Sequence, residues 1–546
     1  MIAFRTRTHP RVSRTSVIVW IILGCIALAV ARVPSVVRTQ EGRVLVTARQ
    51  MEGTGLQGRL VPHLNERPRL QKPPLAYWLS DLSFHMLDSD SAGAGRVPFV
   101  IAAWLTAGLN LLIGTRLFGP RAGTFAMAGM IGSVLGARYG LLAETDVLTM
   151  LGVTAAVCAN WFAAEQAMAR EEREQGDVRR PSLRAVALLF QAGAVATALT
   201  ILAKGPQGAF PVLFLIALAA WRRRWSPVMA WLRSGALLTL LAIASPWFVY
   251  IFSTVDYATV VEEIRVASLG GEHRGTFLKY LGYLPVDALP WTAFVALGVG
   301  YGVRRARRDH RLAGLLLWAA VILLPLCLAG QKQRHYLMPL MPPLMLLAGW
   351  YVDRAVRAGR QNRHPMIVRS VTLWTAVACG AAGVALPAGA WMSRHTVGLA
   401  DVGASMLLLM VALGVLLVLR RRGTGRAVTA LACFGAATML ILQNVWAPTL
   451  PAVSPRVIAH DVATTLGERP VQMLGRQDLP LMFELRAAPR ALTNADEVAQ
   501  ALERQPDLLI VESRRKGEVS QAPPTLVERL SYVDEKELIT IFEARR

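Results

Sequence analysis

Thirteen apolar stretches long enough to cross a membrane run from Ser16 to Trp446, and the loops between them alternate in basic character. Crossing a hydrocarbon core of about 30 Å takes about 20 apolar residues in a helix. Only helices or closed barrels satisfy the backbone there, and the runs here are continuous rather than ten-residue alternations. The sequence therefore predicts helical spans at 16–32, 97–115, 122–140, 147–167, 185–203, 208–221, 234–252, 288–303, 312–329, 336–352, 370–392, 402–419 and 427–446. A hydrophobic content of 54% against 17% charged residues excludes an ordinary soluble chain of 546 residues.

The net charge of +23 follows topology. Basic clusters fall in every second loop: Arg5 to Arg14, Arg116 with Arg121, Arg179 to Arg184, Arg222 to Arg224, Arg304 to Arg311, Arg354 to Arg369 and Arg420 to Arg426. Short cytoplasmic loops accumulate Lys and Arg, so these segments are predicted to face the cytoplasm. No basic stripe with interleaved aromatics remains for nucleic acid. The N-terminal helix reads as a retained span rather than a cleaved leader. An odd span count then places the N-terminus on the cytoplasmic side and the C-terminus on the outer side. The five cysteines all fall within predicted spans and read as core thiols.

Two segments stand apart. The first outer loop, 33–96, carries helix-forming Arg43 to Met51 and a Lys72-Pro73-Pro74 turn that suits the start of a helix. After Trp446, prolines mark a linker and long apolar runs stop. Residues 1–446 are predicted as the transmembrane domain and 447–546 as a soluble extracytoplasmic α/β domain. In the latter, Val471 to Leu474 and Asp507 to Val511 read as strands, with Leu479 to Leu485 and Ala495 to Arg504 as helices.

On the outer side lie Glu41, Arg43, Lys72, Glu144, Asp146, Lys204, His273, Lys332, Arg334 and Tyr336. Charged side chains at membrane depth have a partner or a task. Cations from separate loops meeting at headgroup level suit an anionic lipid phosphate, and a nearby acid suits general-base work toward an acceptor hydroxyl. The bland reading of any one cation is anchoring by headgroups. For Glu41 it is a salt bridge that holds the loop, for Asp146 a helix cap, and for Lys204 a Lys-Gly-Pro turn.

Glu41-Gly42-Arg43, Val61-Pro62-His63-Leu64-Asn65, Lys72-Pro73-Pro74-Leu75, Arg96-Val97-Pro98, Asp146, Lys204-Gly205-Pro206 and Lys332 through Tyr336 with Pro339 resemble a family. It is the bacterial dolichyl-phosphate-mannose protein mannosyltransferase-like superfamily of glycosyltransferases, and within it the lipid A aminoarabinose transferase branch. The resemblance implies a type C glycosyltransferase fold with interfacial outer-loop helices. It implies inverting transfer of a sugar from a polyprenyl-phosphate carrier to a lipid, glycan or protein acceptor among the membrane lipids. By motif position Arg43, Lys72, Lys204, Lys332 and Tyr336 would hold the donor phosphate, and Glu41 and Asp146 would be the catalytic acids. Gln40, Gln71, His273 and Arg334 are further candidates. The sequence departs from the family at Gln40, where the first acid is expected, and at Gln71, where an acid precedes Lys-Pro-Pro. In the aminoarabinose branch that second acid and a later histidine hold a divalent metal, so the usual ligands are replaced here. The competing readings are a polytopic transporter or lipid flippase and a lipid-binding relative without activity.

Overall fold

A computed structural model describes residues 11–172, 182–269, 275–358, 363–450, 453–533 and 537–545. The membrane part is helical. In chain order the helices are α1 (Arg14–Val30), α2 (Thr39–Gln50), α3 (Gly55–Leu60), α4 (Leu75–Leu87), α5 (Ala92–Phe118), α6 (Pro120–Ile131), α7 (Val134–Tyr139), α8 (Thr145–Glu172), α9 (Leu183–Lys204) and α10 (Phe210–Arg222). They continue as α11 (Ser226–Arg233), α12 (Ala236–Thr254), α13 (Tyr257–Leu269), α14 (Lys279–Asp287), α15 (Thr292–Arg305), α16 (His310–Leu328), α17 (Met341–Arg357), α18 (Arg363–Arg394), α19 (Leu399–Arg421) and α20 (Thr424–Ile441). Twelve of the thirteen predicted spans each fall on one of these helices, and the third, 122–140, is divided between α6 and α7. Among the described residues, eight stretches, one of them α9 and α10 together, are long and apolar enough to cross a bilayer by themselves. The chain is a multi-pass membrane protein. Leu188, Leu238, Trp374 and Met392 stand exposed on its flank, as a lipid-facing surface requires.

The third span, predicted as one helix over 122–140, is broken. Gly132 packs so closely on α20 that a Cβ there would lie 2.6 Å from the Ala436 Cα. The chain turns at that contact, and Ser133 restarts it by accepting a hydrogen bond from Gly136 N at 3.0 Å. Near the outer ends of α9 and α17 the backbone tightens into 3-10 turns, Gly205–Ala209 and Arg334–Leu340, both containing proline. These two turns deliver Lys204 and His335 to one place.

The first outer loop folds as the sequence predicts. Val44, Leu45, Ala48 and Met51 of α2 are buried, because apolar residues three and four apart share a helix face. A short hairpin follows, with β1 (His63–Leu64) paired to β2 (Arg67–Pro68) through Asn65 and Glu66, both in the left-handed region. Pro74 opens α4 without needing an amide donor.

Beyond the membrane part come α21 (Pro455–Leu466), β3 (Val471–Leu474), α22 (Leu479–Leu485), α23 (Ala495–Arg504), β4 (Leu509–Arg515), β5 (Leu526–Val533) and β6 (Glu537–Ala544). The sheet order is β3-β4-β6-β5, with β3 and β4 parallel and the other pairs antiparallel. This unit seats on the first loop. Arg49 of α2 lies 3.8 Å over the Phe483 ring and donates to the Phe483 carbonyl at 2.8 Å. The Glu484 carboxylate accepts from Val36 N at 2.9 Å, and Arg486 pairs with Asp90 at 2.7 Å. The tail and residues 33–96 therefore lie on the same side of the membrane.

Candidate active site

The site is built where the start of α2, the start of α8, the end of α9 and the Arg334–Leu340 turn meet. Asp146, in the first turn of α8, is buried and paired with Lys204, the last residue of α9. An acid in the first turn of a helix is favoured by the exposed amides there. Lys204 also sits 3.8 Å over the Tyr336 ring. Lys72 reaches the same spot from the Lys-Pro-Pro turn and donates to Thr145 Oγ1 at 3.4 Å. Burial beside Lys204 pulls the Lys72 ammonium down to about 8, since losing water penalises the charged form.

Arg38, at the N-cap of α2, closes the group. It binds Glu144 at 2.5 Å, lies 4.7 Å over the Tyr139 ring and touches His335 Nδ1 at 3.3 Å. His335 Nε2 in turn faces Asp146 Oδ2 at 3.7 Å. Burial drives the imidazole down to about 3, so it is neutral at physiological pH. Glu144 Oε2 and Asp146 Oδ2 are both buried without a hydrogen-bond partner among the described residues. Three cations thus surround two carboxylates, each with one oxygen left over. Ile201, one turn before Lys204, lines an apolar groove of about 570 Å³ with Leu240, Ala244, Phe248 and Phe252.

Of the residues singled out in the sequence, Lys72, Asp146, Lys204 and Tyr336 come together. Glu41 does not stand free for chemistry. Arg96 grips both its oxygens at 2.7 and 2.8 Å, Ala143 N donates to it at 3.1 Å, and both side chains are fully buried. Arg96 spends its remaining donors on the carbonyls of Ala31, Pro34 and Ser35. This knot ties the loop to α5, the salt-bridge reading of Glu41. Lys332 likewise turns inward: its ammonium caps the end of α16 through the carbonyls of Leu326 (2.9 Å), Cys327 (2.7 Å) and Ala329. Cations near a helix C-terminus satisfy its orphan carbonyls. Arg334 is held by Asp287 at 2.6 Å. Arg43 and Gln40 are half-buried on α2, and Gln71 is half-buried beside Lys72. His273 lies in 270–274, outside the described residues.

The sequence reading passed over Arg38, Tyr139 and His335. His335 stood inside the Lys332-to-Tyr336 motif, so its position was available. Arg38 precedes the Gln40-Glu41 pair and belongs to no quoted motif. Only the turn at the start of α2 brings it inward.

Glu144, Asp146 and His335 each offer a ligand atom, all within 4.8 Å of one another. The donor chemistry does not fit a metal. Guanidinium only donates hydrogen bonds, so His335 Nδ1 accepts from Arg38 and the ring proton sits on Nε2. The nitrogen facing the carboxylates therefore presents a hydrogen rather than a lone pair.

A family model for dolichyl-phosphate-mannose-protein mannosyltransferase matches residues 71–174. An undecaprenyl phosphate-alpha-4-amino-4-deoxy-L-arabinose arabinosyl transferase of Edwardsiella ictaluri is 28% identical over 321 residues, 58% of this chain and 55% of the relative. One from Pseudomonas aeruginosa strain LESB58 is 28% identical over 313 residues, 55% of this chain and 52% of the relative. The matched stretch spans about half the length of these curated relatives. In structure the chain is similar to ArnT of Cupriavidus metallidurans bound to undecaprenyl phosphate, with TM-score 0.73 at 18% identity over 97% of this chain and 98% of that one. The apo form of that protein aligns with the same score. The fold is that of the type C glycosyltransferases, and the sequence is similar to the lipid A aminoarabinose transferase branch of the mannosyltransferase-like superfamily.

Proposed function

We propose that this chain is a membrane glycosyltransferase. It takes a sugar from a polyprenyl-phosphate carrier and passes it to a lipid acceptor on the outer face of the bacterial plasma membrane. The observation that carries the reading is the convergence of Lys72, Lys204 and Arg38 around Asp146, with an apolar groove lined by Ile201, one turn before Lys204. A polyprenyl phosphate has the matching halves: an apolar chain for the groove and an anion for the cations. Similarity to the arabinosyl transferases supports an aminopentose on undecaprenyl phosphate as the donor, and the resemblance to the lipid A aminoarabinose transferase branch supports lipid A as the acceptor.

In this reading the acceptor oxygen attacks C1 of the sugar as the C1–O bond to the phosphate breaks, which inverts that carbon. The electron pair leaves with the phosphate, and Lys72 and Lys204 stabilise the charge that grows there. Asp146, through Oδ2, takes the proton of a hydroxyl acceptor. Glu41 serves as structural anchor of the loop rather than as base. The basic loops put the N-terminus in the cytoplasm, and the contact between tail and first loop keeps the C-terminal unit with the site outside.

The test is transfer by the purified protein in liposomes holding an undecaprenyl-phosphate-linked aminopentose and lipid A, followed by mass spectrometry of the acceptor. The expected result is a mass gain of one sugar, lost in Asp146→Asn and Lys204→Met proteins that still purify folded. Transfer of a hexose alone would overturn the pentose assignment. Failure to use any polyprenyl-phosphate sugar would overturn the enzyme reading.

A further inference from the structure

We infer that Arg38 and His335 are positioning residues for Asp146: Arg38 fixes the ring proton of His335 on Nε2, and that N–H is directed at Asp146 Oδ2, the oxygen left open to the acceptor. The inference rests on the reading of Asp146 as the base, and goes beyond it by assigning a tautomer to His335 and a second, positioning role to Arg38, itself one of the cations of the donor site.

The geometry leaves few alternatives. Arg38 is fixed on three sides, by Glu144 at 2.5 Å, by the Tyr139 ring at 4.7 Å and by the N-terminus of α2. Its Nη2 meets His335 Nδ1 at 3.3 Å. A guanidinium has no lone pair to offer, so a neutral ring must accept at Nδ1 and carry its proton on Nε2. His335 is only 4% exposed and stands edge-on to Tyr336, with ring centroids 5.0 Å apart, so solvent and rotation are both restricted. Its single proton then faces Asp146 Oδ2 at 3.7 Å, while Oδ1 is held by Lys204. Lys204 therefore holds one oxygen of the carboxylate, while the Nε2–H points at the other from beyond hydrogen-bond reach, and Oδ2 keeps its lone pairs for an incoming hydroxyl. A metal-ligating histidine is arranged in the opposite sense, with its far nitrogen donating to a carboxylate or carbonyl. The same tautomer that serves Asp146 therefore disfavours metal binding at Glu144, Asp146 and His335.

Two measurements on the full chain in liposomes test this. Solid-state nitrogen NMR of histidine-labelled protein, with His335 assigned by its loss in His335→Phe, should show a bare Nδ1 and a protonated Nε2. In Arg38→Met the two tautomers should mix. A protonated Nδ1 in the unaltered protein overturns the inference whatever the activity data show. In turnover, His335→Phe should lower kcat roughly 10- to 100-fold with the donor KM changed less than about twofold, the mark of an interaction made at the chemical step. His335→Gln, whose amide nitrogen reaches near the Nε2 position, should recover kcat to within about fivefold. Equal loss in the Phe and Gln variants overturns the positioning role. Full activity in Asp146→Asn would instead sink the reading of Asp146 as base, and the tautomer measurement would still decide the Arg38–His335 assignment. Stoichiometric zinc in the unaltered protein, removed by substituting His335, also counts against it.

Discussion

Lys72 offers a quantitative handle on the donor site, because its ammonium is held down to about 8 by burial next to Lys204. The sign runs one way: below that value Lys72 is charged and can bind a phosphate, and above it the charge is lost. A donor that binds only the charged form has an apparent Kd multiplied by one plus ten to the power of pH minus pKa. Between pH 7 and pH 9 this factor grows from about 1.1 to about 11, a tenfold loss of affinity or roughly 1.4 kcal/mol. An ordinary lysine near 10.4 would change Kd by only a few per cent over the same range. With a neutral sugar on the probe the ligand itself does not titrate, since a sugar-linked polyprenyl phosphate is a diester and stays a monoanion throughout. The assay is equilibrium binding of a fluorescent polyprenyl-phosphate sugar to protein in nanodiscs from pH 6.5 to 9.5. Lys72→Arg should flatten the curve, because guanidinium keeps its charge. A flat curve in the unaltered protein, or one that survives in Lys72→Arg unchanged, would refute a titrating Lys72 in the donor site.

Three further outcomes follow from the contacts. Glu41→Gln should cost about 3–5 kcal/mol, as removing one partner of a buried ion pair does, and should show as a large fall in thermal unfolding temperature and protein yield. A folded but inactive Glu41→Gln protein would return Glu41 to the catalytic list. Lys332→Met strips the cap from α16 and should lower stability by about 1–3 kcal/mol while leaving donor Kd within twofold, both read on one detergent-solubilised sample. Gly42→Val should loosen the tail, because even a Cβ at Gly42 lies 3.1 Å from the Leu479 and Pro480 backbone. Overpacking of this kind costs about 1–3 kcal/mol, and limited proteolysis should release residues after Trp446 sooner than in the unaltered protein.

The architecture was largely legible because spans obey a rule of length and polarity that depends on no tertiary contact. The same holds for α2 and α4, whose apolar periodicity and Pro74 act within a few residues. The break at Gly132 was invisible for the converse reason: its cause is Ala436, three hundred residues away. The strands β5 and β6 went unread although Glu537–Ala544 alternates weakly, since β6 takes its place from pairing with β4 as well as β5. The site was legible in kind but not in detail. A motif marks which charged residues reach the outer face, yet it does not say which partner each one meets. Glu41 and Lys332 carry the same charges as Asp146 and Lys204, but Arg96 consumes the first and the carbonyls ending α16 consume the second.

The surviving charges form a balanced set for the proposed reaction. Arg38, Lys72 and Lys204 stand against Glu144 and Asp146, leaving one positive charge in excess while His335 is neutral. A bound phosphodiester monoanion cancels that excess. When the sugar departs, the phosphate becomes a monoester and can carry a second negative charge, and the proton given up by the acceptor neutralises Asp146. The site then holds two positive charges in excess, opposite a dianion. Neither end of the reaction leaves an uncompensated charge in a buried place, where the cost would be several kcal/mol. The cations are already fixed by Glu144, Asp146 and Tyr336 before the charge develops, which is the condition for stabilising a leaving group without reorganisation.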